Sequence, residues 1–203
     1  MEFTDLELDA LAETFNLSLG EAAAMFSEMV REDIIISVPT VEILSRAVLL
    51  EQLQIQGNNR LCTIKHQFEA TSDFKTNTLL LFPEQGTLEL VRRMLGDSTP
   101  IEHITELEQD TLAEIGNIIM NGCMGSLANL FNNRMIGTLP DVAVTDTHNV
   151  LNTYEMNDMF LVARIGMSLS SKNISGLVLF IMDVNSIQKF MGEVRKAFQL
   201  NGV

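Results

Sequence analysis

Apolar residues recur at three- and four-residue steps in two long stretches of the chain, which is the pattern of an amphipathic helix. They predict one helix over residues 4–31 and a second over about 102–132. Each predicted helix leads into an apolar, partly β-branched run, at residues 34–38 and 136–145, and the first run is closed by Pro39. Such runs favour strands, and a proline often marks the end of one.

Shorter patterns complete the chain. Partial alternation of apolar and polar residues predicts β-hairpins, and stepwise apolar spacing predicts helices. Residues 41–53 fit a strand and a helix about equally well, and Gly57-Asn58-Asn59 marks a turn after them. The remaining expected elements are strands at 61–70 and 77–82, a helix at 84–95, a short segment near 149–155, strands at 159–168 and 175–182, and a helix at 185–198.

The order of the predicted elements repeats, which indicates an internal duplication. The run Leu79-Leu80-Leu81-Phe82 is matched by Leu177-Val178-Leu179-Phe180 at an offset of 98, and Gly96-Asp97-Ser98-Thr99-Pro100 is the best candidate boundary. We therefore predict a single domain made of two repeats, about 1–96 and 97–203. The expected fold is α+β, with two halves related by a pseudo-twofold axis, one mostly antiparallel sheet flanked by helices, and both long helices exposed.

The same polar pattern occurs on both long helices. An acid, a second acid four residues later and an asparagine three residues after that fall on one face, since a helix turns about 100° per residue. In each copy a proline follows the asparagine after twenty-two further residues. The two copies, 101 residues apart, are Asp9, Glu13, Asn16 and Pro39, and Asp110, Glu114, Asn117 and Pro140.

Charge and composition exclude several classes of function. A net charge of −14 argues against binding a nucleic-acid backbone. The acidic N-terminus is unlike a secretory signal, and the apolar runs are too short to span a membrane, so we expect a cytoplasmic protein. The two cysteines lack Cys-x-x-Cys spacing and are expected to be buried and reduced. The three histidines lack ligand spacing, so no metal site is expected.

The polar pattern itself limits the chemistry that the helices can perform. It contains no serine, cysteine or histidine, so it does not supply a nucleophile with its base. A carboxamide can donate and accept hydrogen bonds at once, which suits the orientation of a water for attack on a phosphoryl group. The metal and the acyl phosphate would then lie on a partner protein.

The residues of the two copies carry a resemblance to a known family. The pattern of Asp or Ser, three residues, Glu, two residues, Asn, twenty-two residues, Pro resembles the signature of the CheC, CheX and FliY family of bacterial chemotaxis phosphatases. Those proteins hydrolyse phosphorylated CheY. Both copies match at every signature position. Two copies in a chain of this length, with no extra domain, are most similar to the CheC members of the family.

The resemblance implies roles for these residues on a phosphorylated CheY-type receiver. Asn16 and Asn117 would enter the receiver's acidic pocket and position the attacking water. Glu13 and Glu114 would engage the receiver's lysine. The aspartates would support the helix or the glutamate, and the prolines would fix strand ends. The protein would need no cofactor of its own, because the required Mg²⁺ belongs to the receiver.

One position departs from the family pattern and favours the second copy. Phe15 stands where the second copy has Gly116, and a bulky ring beside Asn16 would hinder docking. Two alternatives stay open. The first is a non-catalytic scaffold like the middle domain of flagellar switch proteins, although intact Glu and Asn residues speak against it. The second is a regulator of a CheD-type receptor deamidase.

Overall fold

A computed structural model gives the arrangement of the predicted elements in space. It describes residues 3–31, 33–38, 40–55, 60–70, 75–95, 105–155, 158–169, 172–181 and 184–199. Within these residues the fold is α+β and its sheet is antiparallel, which confirms the predicted class. The predicted turn at 57–59 and the candidate boundary at 96–100 lie outside the described residues.

Each half of the chain runs through the same order: a long helix, two short strands, a helix, two long strands and a helix. The first half comprises α1 (Asp5–Val30), β1 (Ile34–Ser37), β2 (Val41–Ser45), α2 (Arg46–Ile55), β3 (Arg60–Ala70), β4 (Lys75–Pro83) and α3 (Glu84–Leu95). The second comprises α4 (Glu106–Leu130), β5 (Met135–Gly137), β6 (Asp141–Asp146), α5 (Thr147–Val150), β7 (Met159–Leu169), β8 (Lys172–Ile181) and α6 (Val184–Ala197).

Most predicted elements occur within a few residues of their expected bounds, and three segments differ. Residues 41–53 fitted a strand and a helix equally well, and they contain one of each. Strand β2 ends at Ser45 and helix α2 begins at Arg46. The single strand expected at 136–145 is two strands, β5 and β6, interrupted at 138–140. The short segment expected near 149–155 is α5, which Asp146 caps by accepting a hydrogen bond from the Asn149 N–H at 2.9 Å.

The two halves exchange strands across one sheet. Among the described residues the sheet has eight strands in the order β1-β7-β8-β4-β3-β5, with β2 also on β7 and β6 also on β3. The short strands of each half therefore pair with a long strand of the other half. The exchange is symmetric, since Val41 lies opposite Ala163 and its counterpart Val142 lies opposite Ile64. Each half thus needs the other to complete its pairing.

The centre of the sheet shows where the pseudo-twofold axis passes. Strands β4 and β8 pair there, and Leu80 lies opposite Val178. These residues are also equivalent positions in the two halves, since the offset of 98 relates them. A residue that faces its own counterpart must lie on the symmetry axis. The register thus supports the duplication inferred from the sequence.

Helices cover both faces of the sheet, and alternate strand residues point to opposite sides. Leu80 and Phe82 of β4 belong to the larger core, which includes residues of α1, α3, α4 and α6. Leu79 and Leu81 belong to a smaller core on the other face, with residues of α2. The long helices α1 and α4 therefore lie on the same face and contact each other. Their outward sides share one surface of the molecule.

The start of α1 is held by a capping box and a buried ion pair. Thr4 accepts a hydrogen bond from the Glu7 N–H at 3.3 Å, and the Thr4 N–H donates to the Glu7 carboxylate at 2.7 Å. Glu7 is almost fully buried and pairs with Arg195 of α6 at 2.5 Å. This partner was not expected from the sequence. It fixes the helix that carries Asp9, Glu13 and Asn16.

The start of α4 repeats this arrangement with a partner from the other half. Thr105 and Glu108 form the same capping box, and buried Glu108 pairs with Arg92 of α3. Burial disfavours the charge of the carboxylate, but hydrogen bonds from Arg92 and Thr105 outweigh burial, so the pKa of Glu108 lies below its ordinary value. The carboxylate thus stays charged and ties α4 to α3.

Three further findings bear on the predicted chemistry. Cys62 and Cys123 are free and buried, as expected, and burial raises the pKa of each thiol to about 12. Within the described residues no three His, Cys, Asp or Glu side chains form a group suited to a metal. None of the helices described is both long enough and apolar enough to cross a membrane.

Candidate functional site

The structure places both polar patterns on the outer sides of α1 and α4. Asp9 and Glu13 are exposed, as are Asp110 and Glu114, and both motif asparagines are half-buried. The opposite side of α1 is buried in the larger core. Neither helix contains a lysine or an arginine, so the exposed side of each carries only acidic charge. We call these two rows the first stripe (Asp9, Glu13, Asn16) and the second stripe (Asp110, Glu114, Asn117).

The carboxamide of the first stripe is hydrogen bonded to the backbone. The Val38 N–H donates to Asn16 Oδ1 at 2.6 Å, and Asn16 Nδ2 donates to the Val38 carbonyl oxygen at 3.3 Å. Both ends of the amide are therefore paired with one residue, and the Val38 side chain is only 1% exposed. We call this pair of bonds the Asn16 latch. It ties the end of β1 to α1 and occupies the group that the family resemblance assigns to water positioning.

The carboxamide of the second stripe has a different partner. Asn117 Oδ1 accepts a hydrogen bond from Asn121 Nδ2 at 2.9 Å. The first stripe has Gly20 at the position of Asn121, so it lacks this donor. This bond occupies the Asn117 carbonyl oxygen and fixes the orientation of the amide. The NH₂ group of Asn117 takes no part in it.

The segments that carry the signature prolines differ in the same way. Leu139 corresponds to Val38 at the offset of 101, but its side chain is 89% exposed. No hydrogen bond joins Asn117 to Leu139, although both residues lie in described parts of the chain. Pro140 is half-buried and directly precedes β6, whereas Pro39 lies outside the described residues. The second stripe thus lacks the backbone hydrogen bonds that hold the asparagine of the first stripe.

The expectation that Phe15 hinders docking at Asn16 is wrong. Its ring is fully buried and stacks on Phe180, with ring centroids 5.5 Å apart. The reason is geometric, since Phe15 lies four residues from both Leu11 and Leu19 and so shares their fully buried face of the helix. The first stripe is restricted by the latch and not by this ring.

Gly116, the counterpart of Phe15, allows α4 to approach the sheet closely. A Cβ atom at this position would lie 2.5 Å from Ile64 Cγ2, closer than van der Waals contact permits. The sheet residue that corresponds to Ile64 in the other half is the buried Ala163. A small sheet side chain therefore accompanies the large Phe15, and a large one accompanies the glycine.

Two features of the site were missed at the sequence level. The Asn16 latch was missed because its acceptor and donor are backbone atoms of Val38, which leave no residue-type signal. The ion pairs of Glu7 and Glu108 had a signal, the repeated Thr-x-x-Glu of a capping box. The arginine partners, Arg195 and Arg92, could be identified only from the packing of the helices.

Comparison with known proteins finds the same fold in solved structures of flagellar and chemotaxis proteins. No protein-family model matches the chain. Solved structures do match over nearly its full length. FliY from Thermotoga maritima aligns over 97% of this chain and 100% of its own, with 18% identity and a TM-score of 0.77. The FliM middle domain from H. pylori aligns over 94% and 99%, with 14% identity and a TM-score of 0.72.

A CheC-like superfamily protein from Shewanella sp. PV-4 also matches. It covers 85% of this chain and 97% of its own, with 14% identity and a TM-score of 0.55. At such identities the likeness concerns the fold, and the activity has to be argued from the site. The chain therefore has the fold of FliY, the FliM middle domain and the CheC-like proteins, which is the fold that its resemblance to the CheC, CheX and FliY family predicts.

Proposed function

We propose that this protein is a cytoplasmic phosphatase of bacterial chemotaxis that hydrolyses the aspartyl phosphate of a CheY-type response regulator. The observation that carries the proposal is the placement of Asn117 on the outer side of α4, next to exposed Glu114 and without a backbone partner. A carboxamide in this position reaches a visiting protein. The receiver contributes the phosphoryl group and its Mg²⁺, and this protein needs no cofactor of its own.

In this proposal Asn117 orients the attacking water and Glu114 binds the receiver's lysine. The water oxygen forms a bond to phosphorus while the bond from phosphorus to the aspartyl oxygen breaks. The products are the receiver's free carboxylate and inorganic phosphate. Positioning of this kind lowers a barrier without covalent chemistry. The hydrogen bond from Asn121 Nδ2 to Asn117 Oδ1 supports this role, because it holds the amide in one orientation. Asp110 lies one turn before Glu114 and adds negative charge to the docking face.

The acidic character of both stripes supports a partner with exposed basic side chains. Since α1 and α4 contain no lysine or arginine, a receiver that approaches these helices meets only acidic charged side chains on them. Complementary charge speeds encounter and selects orientation. The first stripe shares this charge, but its asparagine is engaged in the latch, so we assign the chemistry to the second stripe.

A scaffold without catalysis is the second candidate. Two observations favour it: the match to FliM, which has been crystallised in complexes with FliG and with SpeE, and the commitment of Asn16 to a structural bond. A scaffold, however, has no need for an Asn117 that makes no backbone hydrogen bond and has exposed Glu114 on the same face. Binding of the phosphorylated receiver without turnover would favour the scaffold.

The deciding experiment follows the decay of an acyl-phosphorylated CheY-type receiver with Mg²⁺, with and without this protein. We expect the wild type to accelerate decay and Asn117→Ala to lose about 100-fold in rate. Asn16→Ala should keep most of the activity under conditions where it is folded. Asn121→Asp, which has the same shape but cannot donate to Asn117 Oδ1, should lower turnover. A receiver that decays at its own rate in the presence of the wild type would refute the proposal.

A further inference from the structure

The two halves differ sharply in exposure at the residue before each signature proline. Several exposed apolar side chains occur at equivalent positions and to a similar extent in both halves: Leu6 with Leu107, and Ile35 with Ile136. Position 139 breaks this symmetry, since Leu139 is 89% exposed and its counterpart Val38 is 1% exposed. A single exposed leucine is common on protein surfaces, so exposure alone does not indicate a function. The position of Leu139 in the fold and the strand pairing that supports its segment do indicate one.

Leu139 is held outward by strand pairing on both sides. The Thr138 N–H donates to the Gln67 carbonyl oxygen at 2.9 Å, and the Gln67 N–H donates to Thr138 Oγ1 at 3.1 Å. After Pro140, Asp141 lies opposite Lys65 in the β3–β6 pairing. Proline also restricts the backbone between these anchors. The leucine is therefore presented by a short and supported segment.

Leu139 lies beside the second stripe. Helix α4 packs against both β5 and β6, the strands that the segment 138–140 connects. In the other half the equivalent segment comes within hydrogen-bond distance of Asn16, as the latch shows. Gly116, the neighbour of Asn117, lies against Ile64, and Ile64 is paired with Val142, three residues after Leu139. The segment that carries Leu139 is therefore near the end of the stripe at Asn117. A protein that reaches Asn117 will also meet this leucine.

We propose that Leu139 is a specificity-determining contact, which inserts into an apolar recess of the receiver beside its phosphorylation site. The inference rests on the proposed function and adds the partner's chemistry: a basic surface toward the stripe and an apolar recess next to it. Interface residues that dominate the binding energy fill well-packed pockets from which the surrounding contacts exclude water. The polar stripe supplies orientation, and the leucine supplies binding that a receiver without the recess would lack.

The test compares Leu139→Ser with Ile35→Ser, a matched control at an exposed isoleucine of β1 in the other half. Both variants should fold, because neither side chain is buried. With acyl-phosphorylated receiver and Mg²⁺, we expect Leu139→Ser to raise KM about tenfold, which corresponds to ~1.4 kcal/mol, while kcat changes little. Leu139→Met should restore KM, because it keeps an apolar side chain of similar size. Ile35→Ser should behave as the wild type.

The outcomes separate this inference from the proposed function. If the wild type is active and Leu139→Ser leaves KM unchanged, the contact is refuted while the phosphatase stands. If the wild type is inactive, the proposed phosphatase function is refuted. The affinities of both serine variants for the phosphorylated receiver then test the Leu139 contact. Weaker binding by Leu139→Ser alone supports it. Equal binding by both variants, or no binding by the wild type, overturns it.

Discussion

Asn16 and Asn117 occupy equivalent positions in the duplicated fold but have different hydrogen-bond partners. The first bonds both backbone groups of Val38, and the second bonds the side chain of Asn121. The latch also gives a structural reason for the spacing between asparagine and proline. The chain must complete α1 and return along β1 before the residue ahead of Pro39 reaches the helix again. In the first half, the spacing between asparagine and proline therefore has a structural role, because it brings Val38 to Asn16.

The latch predicts a stability difference between two otherwise identical substitutions. Asn16→Ala removes both partners of buried Val38, and an unsatisfied buried backbone group costs about 1–3 kcal/mol. Asn117→Ala removes a bond at the surface and should change the free energy of unfolding by less than about 0.5 kcal/mol. Urea unfolding of both variants measures the difference. Equal midpoints would show that the latch does not stabilise the native state.

The sequence predicted the positions of both stripes but not the state of their asparagines. A periodic pattern tells which face of a helix a residue occupies, and Asp9, Glu13, Asp110 and Glu114 are exposed as that face requires. Whether an asparagine on that face is hydrogen bonded to the backbone depends on the path of a strand that follows 22 residues later in the sequence. That path follows from how the halves pair, which no local pattern encodes.

Helix α4 is positioned by close contact with the sheet at Gly116 and by an ion pair at Glu108. The glycine lets the helix approach Ile64, and the capping box with Arg92 holds its first turn. Both features lie on the same helix as the second stripe, on either side of Asp110 and Glu114. The geometry of the proposed site therefore depends on contacts that are themselves buried.

Substitution of Gly116 by alanine should move α4. The added Cβ would meet the side chain of Ile64, and such overpacking costs about 1–3 kcal/mol of folding free energy. Gly125→Ala is the matched control on the same helix, because no atom lies within 4 Å of its added Cβ. It should stabilise the protein by up to about 1 kcal/mol through higher helix propensity. Thermal unfolding measures both, and a loss of stability in Gly125→Ala alone would contradict the packing argument.

The buried pair of Glu108 and Arg92 predicts a pH-dependent effect. Glu108→Gln removes the carboxylate charge that pairs with Arg92, and breaking such a pair costs about 3–5 kcal/mol at pH 7. Because the pKa of Glu108 is lowered in the folded state, its stabilising contribution is complete above the ordinary value of 4.5. It is lost as the pH falls through the folded pKa. The difference between variant and wild type should therefore shrink toward acid pH.

Chemical unfolding between pH 7 and pH 3 tests this expectation. Glu84→Gln is the control, since Glu84 pairs with the largely exposed Arg60, and solvent-screened pairs contribute little to stability. A difference between Glu108→Gln and wild type that stays constant over the whole range would mean that the carboxylate charge is not what stabilises this helix end.

At the scale of elements, long periodic helices were predictable, whereas two of the segments with short strands were not resolved correctly. Helices α1 and α4 show many turns of the same apolar spacing, so their existence was clear from sequence. Residues 41–53 were ambiguous because β2 and α2 follow each other without a turn, and each is too short for a distinct period. The break at 138–140 was missed because apolar residues continue on both sides of it.

The whole molecule is built from two repeats that do not complete their pairing alone. In the described part of the chain, β1 and β2 pair only with β7, and β5 and β6 pair only with β3. The buried ion pairs also cross between halves, from Glu7 to Arg195 and from Arg92 to Glu108. This arrangement places α1 and α4 side by side on one face, which is why both stripes share a surface.

Division of the chain at the candidate boundary should therefore abolish folding of both parts. Residues 1–96 would keep β3 and β4 but lose the partners of β1 and β2, and residues 97–203 would lose the partner of β5 and β6. Unpaired strand edges and the uncovered apolar faces of the long helices favour unfolding or aggregation. Co-expression of the two parts should restore the sheet, because every pairing partner is then present.

Far-UV circular dichroism and size-exclusion chromatography of each part, alone and co-expressed, measure the outcome. We expect cooperative thermal unfolding and Asn117-dependent phosphatase activity only from the co-expressed pair. A first part that unfolds cooperatively as a monomer would show that the repeats are separate domains. The surface shared by the two stripes would then depend on the linker between them and not on the exchanged strands.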